Sequence, residues 1–259
     1  MRLFQPEADI YLNRLERNYQ TIQTMVGNSK VMAVIKANAY GHGIISVAQT
    51  LSDAGIHGFC VALESEAEEL IKADIRTPIL HLGRISKDSL GLYNSGQVRC
   101  TINSVKDVIE VERFVNQNKF IIAHLKIDTG MGRMGVPFKE AESIMKVLAN
   151  VTTIQVESVY SHFSTAEESD TQYRDWQLKR FKKVVKIANE ILPETEYFHI
   201  ANSAGILSCP DSYFNMVRPG ISLYGVSSLG KFHEKLLPVM RMKAPVVLVK
   251  NVKSGESVG

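Results

Sequence analysis

The strongest constraint on the fold is a repeated alternation between short apolar runs and amphipathic helical segments. The runs are rich in β-branched residues, and they are VMAVIK (31–36), GFCVAL (58–63), PILHL (78–82), VRCTI (98–102), FIIAHLKI (120–127), VESVYSH (156–162), YFHI (197–200) and FNMVR (214–218). They are largely continuous rather than strictly alternating with polar residues, which is typical of parallel strands buried on both faces. The sequence therefore predicts eight strands of one parallel sheet.

Helical spacing separates these strands. The first helix is predicted by apolar residues three or four positions apart, at Leu12, Leu15, Tyr19, Ile22 and Val26. A longer amphipathic helix is predicted from Thr171 to Leu192. Eight βα repeats most simply close into an α/β fold of the TIM type, a (β/α)8 barrel, which takes about 250 residues. The chain has 259 residues, and an open doubly wound sheet is the alternative.

The alternation stops after Tyr224. Residues 231–259 have the pattern of an extended strand, a turn at Ser254-Gly255 and a second strand. So short a segment cannot bury a core of its own, and it would leave an exposed sheet edge. We expect residues 1–230 to form the barrel and residues 231–259 to be the first strands of a mostly β C-terminal domain that the chain does not complete.

Composition excludes several classes of protein. The chain carries 30 Lys and Arg against 27 Asp and Glu, without long basic runs, so nothing indicates nucleic-acid binding. Its longest apolar run, 244–249, is far shorter than the roughly 20 residues of a membrane-spanning helix. Gln5, Pro6 and Glu7 interrupt any apolar core of a signal peptide. The three cysteines, Cys60, Cys100 and Cys209, are scattered and indicate neither disulfides nor a metal site. We therefore expect a cytoplasmic protein.

Chemically versatile residues follow the predicted strands, where the active sites of such barrels lie. These positions hold Lys36 before ANAYGHG, the segment 128–133 that ends in Arg133, the triplet SHF (161–163), the segment NSAG (202–205) and the segment RPGI (218–221). One lysine, two arginines, a histidine and glycine-containing turns together favour a ligand with an anionic group and a reactive carbonyl.

Each of these residues also has an ordinary structural interpretation. Lys36 is either a strand-end lysine that reaches solvent or a desolvated amine able to form a Schiff base. Ser203 is either the N-cap of a short helix or, with the backbone of Gly220 and Ile221, part of a phosphate cradle. Structural roles are equally open for three others: a loop cap at Arg133, a core histidine at His162 and a buried ion pair at Lys126.

The segment KANAYGHG (36–43) resembles the pyridoxal phosphate attachment motif of the alanine racemase family. Four further segments match the same family in the same order: KIDTGMGRMG (126–135), YSHFSTAE (160–167), ANSAG (201–205) and VRPGISLYG (217–225). The resemblance covers essentially the whole chain.

The resemblance implies an isomerase that interconverts L-alanine and D-alanine by a two-base mechanism and supplies D-alanine for peptidoglycan. Lys36 would form an aldimine with pyridoxal 5'-phosphate and act as one base. The implied catalytic residues are Lys36, Arg133, His162 and Arg218. The implied cofactor-binding residues are Lys36, Tyr40, His162, Asn202, Ser203, Arg218, Gly220 and Ile221.

Individual roles also follow from the resemblance. Arg218 would face the pyridine nitrogen, and because a guanidinium cannot accept a proton, that nitrogen would stay neutral and the carbanion short-lived. His162 would support Arg218, and Tyr40 would bind the phosphate. Lys126 would be carbamylated, and the resulting anion would orient Arg133.

The second base of the family is a tyrosine of the β domain, contributed by the other subunit of a homodimer. It would follow the segment GESVG (255–259), so it is not among these residues. We therefore expect the 259-residue chain to bind the cofactor but to racemise alanine weakly or not at all. The alternatives are a non-catalytic pyridoxal phosphate-binding barrel, a decarboxylase or serine racemase on the same scaffold, and a barrel without a cofactor.

Overall fold

A computed structural model describes residues 5–115, 120–227, 229–230 and 234–258. In chain order its strands are β1 (Glu7–Ile10), β2 (Lys30–Val34), β3 (Gly58–Val61), β4 (Ile79–His81), β5 (Val98–Ile102), β6 (Ile121–Asp128), β7 (Val136–Pro137), β8 (Ile154–Tyr160), β9 (Tyr197–His199), β10 (Met216–Val217) and β11 (Met240–Lys243). All eight predicted strands form, as β2–β6 and β8–β10.

The helices follow the strands as the sequence predicts. They are α1 (Leu12–Val26), α2 (Lys36–Gly41), α3 (Ile44–Asp53), α4 (Glu64–Lys72), α5 (Leu90–Tyr93), α6 (Val105–Phe114), α7 (Ala141–Leu148), α8 (Gln172–Ile191) and α9 (Ser203–Ser208). Short 3-10 helices cover Phe138–Glu140, Pro210–Ser212 and Ile221–Tyr224. Within the described ranges, none of these helices combines the length and apolar character needed to cross a membrane.

The strands form a nearly closed parallel barrel in the order β10-β2-β3-β4-β5-β6-β8-β9. The two ends of this order meet just beyond the strands, where the backbone N–H of Arg218 donates to the carbonyl of Ala201 at 3.0 Å. The prediction of a TIM-type barrel is confirmed, and the open sheet is excluded. Strand β7, which pairs with β6, lies beside this order and was not predicted.

The apolar core lies between the strands and the surrounding helices. Helix α1 buries Leu15, Tyr19, Ile22 and Val26, the face that the spacing predicts. Helix α8 occupies the predicted segment to within one residue at each end. The barrel interior is different, because hydrogen bonds cross it between polar side chains: Thr101 on β5 bonds Tyr160 on β8 at 3.1 Å, and His124 on β6 bonds His199 on β9 at 3.2 Å.

The C-terminal segment differs from its prediction. Strand β11 pairs antiparallel with β1, from Glu7 opposite Lys243 to Ile10 opposite Met240, in a separate two-stranded sheet. The predicted turn at Ser254-Gly255 forms, but no strand flanks it within residues 244–258. Strand β11 lies within the predicted first strand, whereas the predicted second strand, after the turn, does not form in the described residues, because an extended segment needs a partner strand to be stable. Residues 231–233 and 259 lie outside the described residues, and the domain boundary stays a prediction.

Candidate active site

A cavity of about 550 Å³ opens at the carboxyl end of the barrel. Every site residue predicted from the sequence lines it: Lys36, Tyr40, Lys126, Arg133, His162, Asn202, Ser203, Arg218, Gly220 and Ile221. The structure therefore brings these residues together, as expected for the strand ends of a barrel. Their individual roles remain predictions.

Lys36 projects into the cavity from a strained turn. Strand β2 ends at Val34, and the residues from Ala37 to Tyr40 adopt left-handed backbone conformations with φ between 52° and 55°. Such a conformation costs roughly 1–2 kcal/mol for each residue with a side chain, so the surrounding structure must hold it. The carboxylate of Glu66 accepts the backbone N–H of Ala37 at 2.5 Å and those of Ala62 and Leu63 at 2.9 and 3.1 Å.

The amine of Lys36 is available for chemistry. Among the residues that the structure describes, it makes no hydrogen bond and no salt bridge. A lysine held at the end of a barrel strand without a carboxylate partner suits nucleophilic chemistry better than a structural ion pair. The strained turn also brings Tyr40 to the same cavity, four residues after Lys36.

Ser203 joins two loops at one side of the cavity. Its hydroxyl accepts the backbone N–H groups of Gly220 and Ser222 at 2.8 and 3.2 Å, and the hydroxyl of Ser222 donates to it at 3.1 Å. The interpretation of Ser203 as an N-cap is wrong, because Asn202 caps α9 and its side chain accepts the N–H of Gly205 at 2.9 Å. Ser203 is instead the first helical residue, and its hydroxyl is free to bond the neighbouring loop.

Tyr40 lies directly against the loop that Ser203 organises. A Cβ atom at Gly220 would be 2.9 Å from the hydroxyl oxygen of Tyr40, so only glycine fits there without displacing the tyrosine. Burial raises the pKa of Tyr40, so its hydroxyl is a neutral hydrogen-bond donor at physiological pH. The hydroxyls of Tyr40 and Ser203 thus lie beside the same loop at the cavity, and hydroxyl donors suit a phosphate.

Arg133 lies at the mouth of the cavity on a loop held by other residues. The carboxylate of Asp128 accepts the backbone N–H groups of Gly130 and Gly132, each at 2.8 Å. The hydroxyl of Tyr173 donates to the carbonyl of Gly130 at 2.7 Å. Within the described part of the chain, Arg133 makes no hydrogen bond that would cap this loop, so its exposed guanidinium is left for a ligand.

Lys126 is a buried cation without an acidic partner. It is 6% exposed, and its amine lies 5.6 Å from the ring centroid of Tyr160. The alternative of a buried ion pair is wrong, because no carboxylate of the described residues lies within salt-bridge distance of it. Burial, followed by the nearby positive charges of Arg133 and Arg218, lowers the pKa of Lys126 to about 8.

Arg218 also lines the cavity, and His162 lies beside it. The guanidinium of Arg218 donates to the carbonyl of Ser161 at 2.6 Å and lies 3.4 Å from Nδ1 of His162. The Cζ atom of the Arg218 guanidinium lies 4.9 Å from the ring centroid of Tyr160. Burial and the charge of Arg218 hold the pKa of His162 well below its usual range, so the imidazole is neutral. His162 lines the cavity and is not a histidine enclosed in the core.

Comparison with known proteins identifies the family. The model of the alanine racemase N-terminal domain matches residues 10–228. The alanine racemase of Desulforamulus reducens is 39% identical to this chain over 259 residues, which cover 97% of this chain and 70% of that protein. The chain belongs to the alanine racemase family. The alanine racemase of Carboxydothermus hydrogenoformans is 35% identical, and the match covers 97% of this chain and 69% of the relative.

Solved alanine racemases have the same architecture. The enzyme of Clostridium difficile 630, in complex with cycloserine, superposes with a TM-score of 0.89 at 29% identity, over 97% of this chain and 71% of the other. The enzyme of Bacillus anthracis, with bound L-Ala-P, superposes with a TM-score of 0.88 at 29% identity, over 100% of this chain and 69% of the other. Membership of the alanine racemase family therefore supports an isomerase activity, of the racemase class, for this chain.

Sequence reasoning missed several residues around the cavity of this alanine racemase-family barrel. Glu66 holds the turn of Lys36. The ring of Tyr160 packs against both the Arg218 guanidinium and the ring of His199, whose centroid lies 4.8 Å from that of Tyr160. His124, Glu157 and His199 form a polar series inside the barrel. The available signal was a polar residue within an otherwise apolar strand, as in FIIAHLKI, VESVYSH and YFHI.

Proposed function

We propose that this chain is the cofactor-binding barrel of an alanine racemase that interconverts L-alanine and D-alanine with pyridoxal 5'-phosphate. The observation that carries the proposal is the position of the Lys36 amine. It enters a cavity that is also lined by the hydroxyl-bearing Tyr40 and Ser203 and by Arg218. D-alanine for peptidoglycan would be the product used by the cell.

The residues around the cavity fit pyridoxal phosphate. The Tyr40 hydroxyl and the loop fixed by Ser203 and Gly220 supply donors for a phosphate, and Lys36 supplies a primary amine for an aldehyde. When bound, pyridoxal phosphate supplies an electron sink for the carbanion that forms when an amino acid loses its α-proton. Asn202 and Ile221 lie at the same end of the cavity and would complete the phosphate site.

Arg218 controls the protonation of the group that it faces. Its guanidinium cannot accept a proton, and it has none to give at physiological pH. A ring nitrogen placed against it would therefore stay unprotonated, which limits how long a carbanion survives. The imidazole of His162 beside it is neutral, so it supplies no proton to that ring nitrogen either. A racemase benefits, because a short-lived carbanion is reprotonated before side reactions occur.

Lys36 would act as the base on one face of the substrate carbanion. Racemisation needs a second base on the opposite face, and the family resemblance assigns this role to a tyrosine that is not among residues 1–259. We therefore expect the 259-residue polypeptide to bind the cofactor and racemise alanine weakly. We expect the protein to act as a homodimer whose active site receives this tyrosine from the partner subunit.

Lys126 would become a carbamate. Its lowered pKa leaves much of the amine neutral near pH 8, and only a neutral amine attacks carbon dioxide. The product is an anion, which replaces repulsion between Lys126 and Arg133 with attraction. Arg133, which has no described partner, would then be drawn across the cavity mouth toward the substrate.

The proposal is tested by adding pyridoxal phosphate to the purified chain and recording its visible absorption. We expect a yellow complex, and we expect Lys36→Ala to abolish the covalent absorption band. Lys30→Ala is the matched control, because Lys30 begins the same strand, is exposed, and lies at the opposite end of the barrel. Identical spectra for wild type and Lys36→Ala would contradict the proposal.

Weak activity is tested separately by following L-alanine in heavy water. We expect deuterium to enter the α-position slowly and D-alanine to accumulate at a small fraction of the rate of a complete enzyme. Full racemase turnover by the 259-residue chain would contradict the missing-base proposal, whereas it would leave the role of Lys36 intact. A non-catalytic carrier would show the absorption band without any exchange.

A further inference from the structure

A hydrogen-bonded series of side chains runs through the barrel interior from Arg218 toward the amino end. A guanidinium nitrogen of Arg218 contacts Nδ1 of His199. Nε2 of His199 lies 3.2 Å from Nδ1 of His124, and Nε2 of His124 lies 2.9 Å from a carboxylate oxygen of Glu157. The other end of the series is fixed by Arg99, which binds the carboxylate of Glu157 through two N–H groups, both at 3.0 Å.

Arg218 needs such a series because its charge is buried. Arg218 is only 3% exposed. No carboxylate of the described residues lies within salt-bridge distance of its guanidinium. Its neighbours are carbonyl groups, two imidazoles and the ring of Tyr160. An uncompensated buried charge is costly, so a connected carboxylate stabilises it even when two side chains intervene.

The chemistry of the donors fixes the direction of every bond. Arginine only donates, so Nδ1 of His199 must accept, and a neutral imidazole that accepts at Nδ1 carries its proton on Nε2. That proton is donated to Nδ1 of His124, whose own proton is then on Nε2 and is donated to Glu157. Any other pair of neutral tautomers would bring two lone pairs or two protons together at one of these contacts.

The charges of the series agree with this direction. Burial, then the positive charge of Arg218, holds the pKa of His199 well below its usual range, and burial also lowers the pKa of His124. Burial alone would raise the pKa of Glu157, but hydrogen bonds from His124 and Arg99 hold it at about 2. At neutral pH the series thus consists of the Arg218 cation, two neutral imidazoles and the Glu157 anion, which is also paired with the Arg99 cation.

We propose that Glu157 is a positioning residue for Arg218, acting through His124 and His199, and that this one-way hydrogen-bond series holds the guanidinium as a donor at the cavity. The arrangement places the compensating carboxylate away from the cavity. No acid or base then lies where Arg218 meets a ligand, and the guanidinium keeps a fixed orientation. The tautomers follow from the structure alone, whereas the effect on a bound cofactor rests on the proposed function.

The first arm of the test uses the cofactor-free chain labelled with ¹⁵N-histidine and long-range ¹H–¹⁵N NMR at neutral pH. We expect both His124 and His199 to be neutral and protonated on Nε2. We expect Glu157→Gln, which keeps the side-chain size but removes the charge, to shift the ring nitrogen resonances of His199. The matched control is Glu196→Gln, because Glu196 is exposed and its backbone pairs with Glu157. Protonation of His199 on Nδ1, or His199 resonances that do not move in Glu157→Gln, would overturn the proposal.

The second arm measures the visible spectrum and affinity of pyridoxal phosphate in the same variants. We expect Glu157→Gln to shift the absorption maximum and to weaken binding about tenfold, the effect of one lost hydrogen bond to a charged group. Glu196→Gln should match wild type. A lowered melting temperature with an unchanged spectrum and affinity would reduce Glu157 to a structural residue and overturn the positioning role. If wild type itself binds no cofactor, the proposed function fails, and the first arm still decides whether the series exists.

Discussion

The hydroxyl of Ser203 accepts the backbone N–H of Gly220 at 2.8 Å, so a residue that follows β9 fixes the loop that follows β10. Together with the bond from the N–H of Arg218 to the carbonyl of Ala201, it links the segments that follow β9 and β10, two strands that are not neighbours in the sheet order. It also sets the position of the backbone against the Tyr40 hydroxyl. One serine therefore links the closure of the fold to the geometry of the candidate phosphate site.

Replacing Ser203 with alanine should weaken both stability and cofactor binding. The substitution leaves the N–H groups of Gly220 and Ser222 without their acceptor, which costs about 1–3 kcal/mol for a buried group. We expect a fall of that size in the free energy of unfolding and a loss of about tenfold in pyridoxal phosphate affinity. Denaturant titration and absorption titration measure the two effects. Ser46→Ala, at an exposed position of α3, is the control, and equal behaviour of the two variants would refute the role of Ser203.

Replacing Glu66 with alanine should release the strained turn at Lys36. The carboxylate holds three backbone N–H groups, including that of Ala37, so its loss should lower the free energy of unfolding by about 3 kcal/mol. Covalent capture of pyridoxal phosphate by Lys36 should slow as well. Glu68→Ala is the control on the same helix, because Glu68 forms only an exposed pair with Lys72 worth about 0.5 kcal/mol. A Glu66 variant as stable as the Glu68 variant would contradict this account.

Lys126 should react with carbon dioxide in a pH-dependent manner. Because its pKa is lowered to about 8, the neutral amine increases as the pH rises through 8, well below the usual lysine value of 10.5. With ¹³C-labelled bicarbonate, we expect one carbamate resonance that strengthens between about pH 7 and pH 9. Lys126→Ala should lack it. Absence of the resonance from wild type over this range would show that the amine stays unmodified.

Acid should destabilise the barrel partly through Glu157. Its folded pKa of about 2 lies below the ordinary value of 4.5, so its contribution is complete above pH 4.5 and is lost as the pH falls from 4.5 toward 2. The shift corresponds to about 3 kcal/mol of stability. In urea titrations at a series of pH values, Glu157→Gln should lose less stability than wild type over this range. Parallel pH profiles for the two proteins would exclude this linkage.

Most of the barrel could be predicted from the sequence because both faces of each strand are buried. Continuous apolar runs, such as GFCVAL at 58–63, located the strands closely. Strand β7 was missed because it has only two residues, Val136 and Pro137, and its pairing with β6 depends on the path of the preceding loop. The ends of such short elements are set by tertiary contacts, which local sequence does not encode.

The candidate site was predicted as a set of residues but not as a set of contacts. Strand-end position identified Lys36 and Arg218, because a parallel barrel brings all its carboxyl ends to one face. Asn202 and Ser203 are both good helix-capping residues, and only the tertiary structure shows that Asn202 caps, with its side chain accepting the N–H of Gly205, while Ser203 accepts the N–H of Gly220. The partners of His124 and His199 lie across the barrel, so no spacing along the chain could have revealed them.

The most direct test of the account is to add pyridoxal phosphate, reduce the complex with borohydride, and map the modified residue by peptide mass spectrometry. We predict that one equivalent of reduced cofactor is attached to Lys36, with none on Lys30 or Lys126. An unmodified Lys36, or attachment spread over exposed lysines to the same extent as in Lys36→Ala, would contradict the central claim.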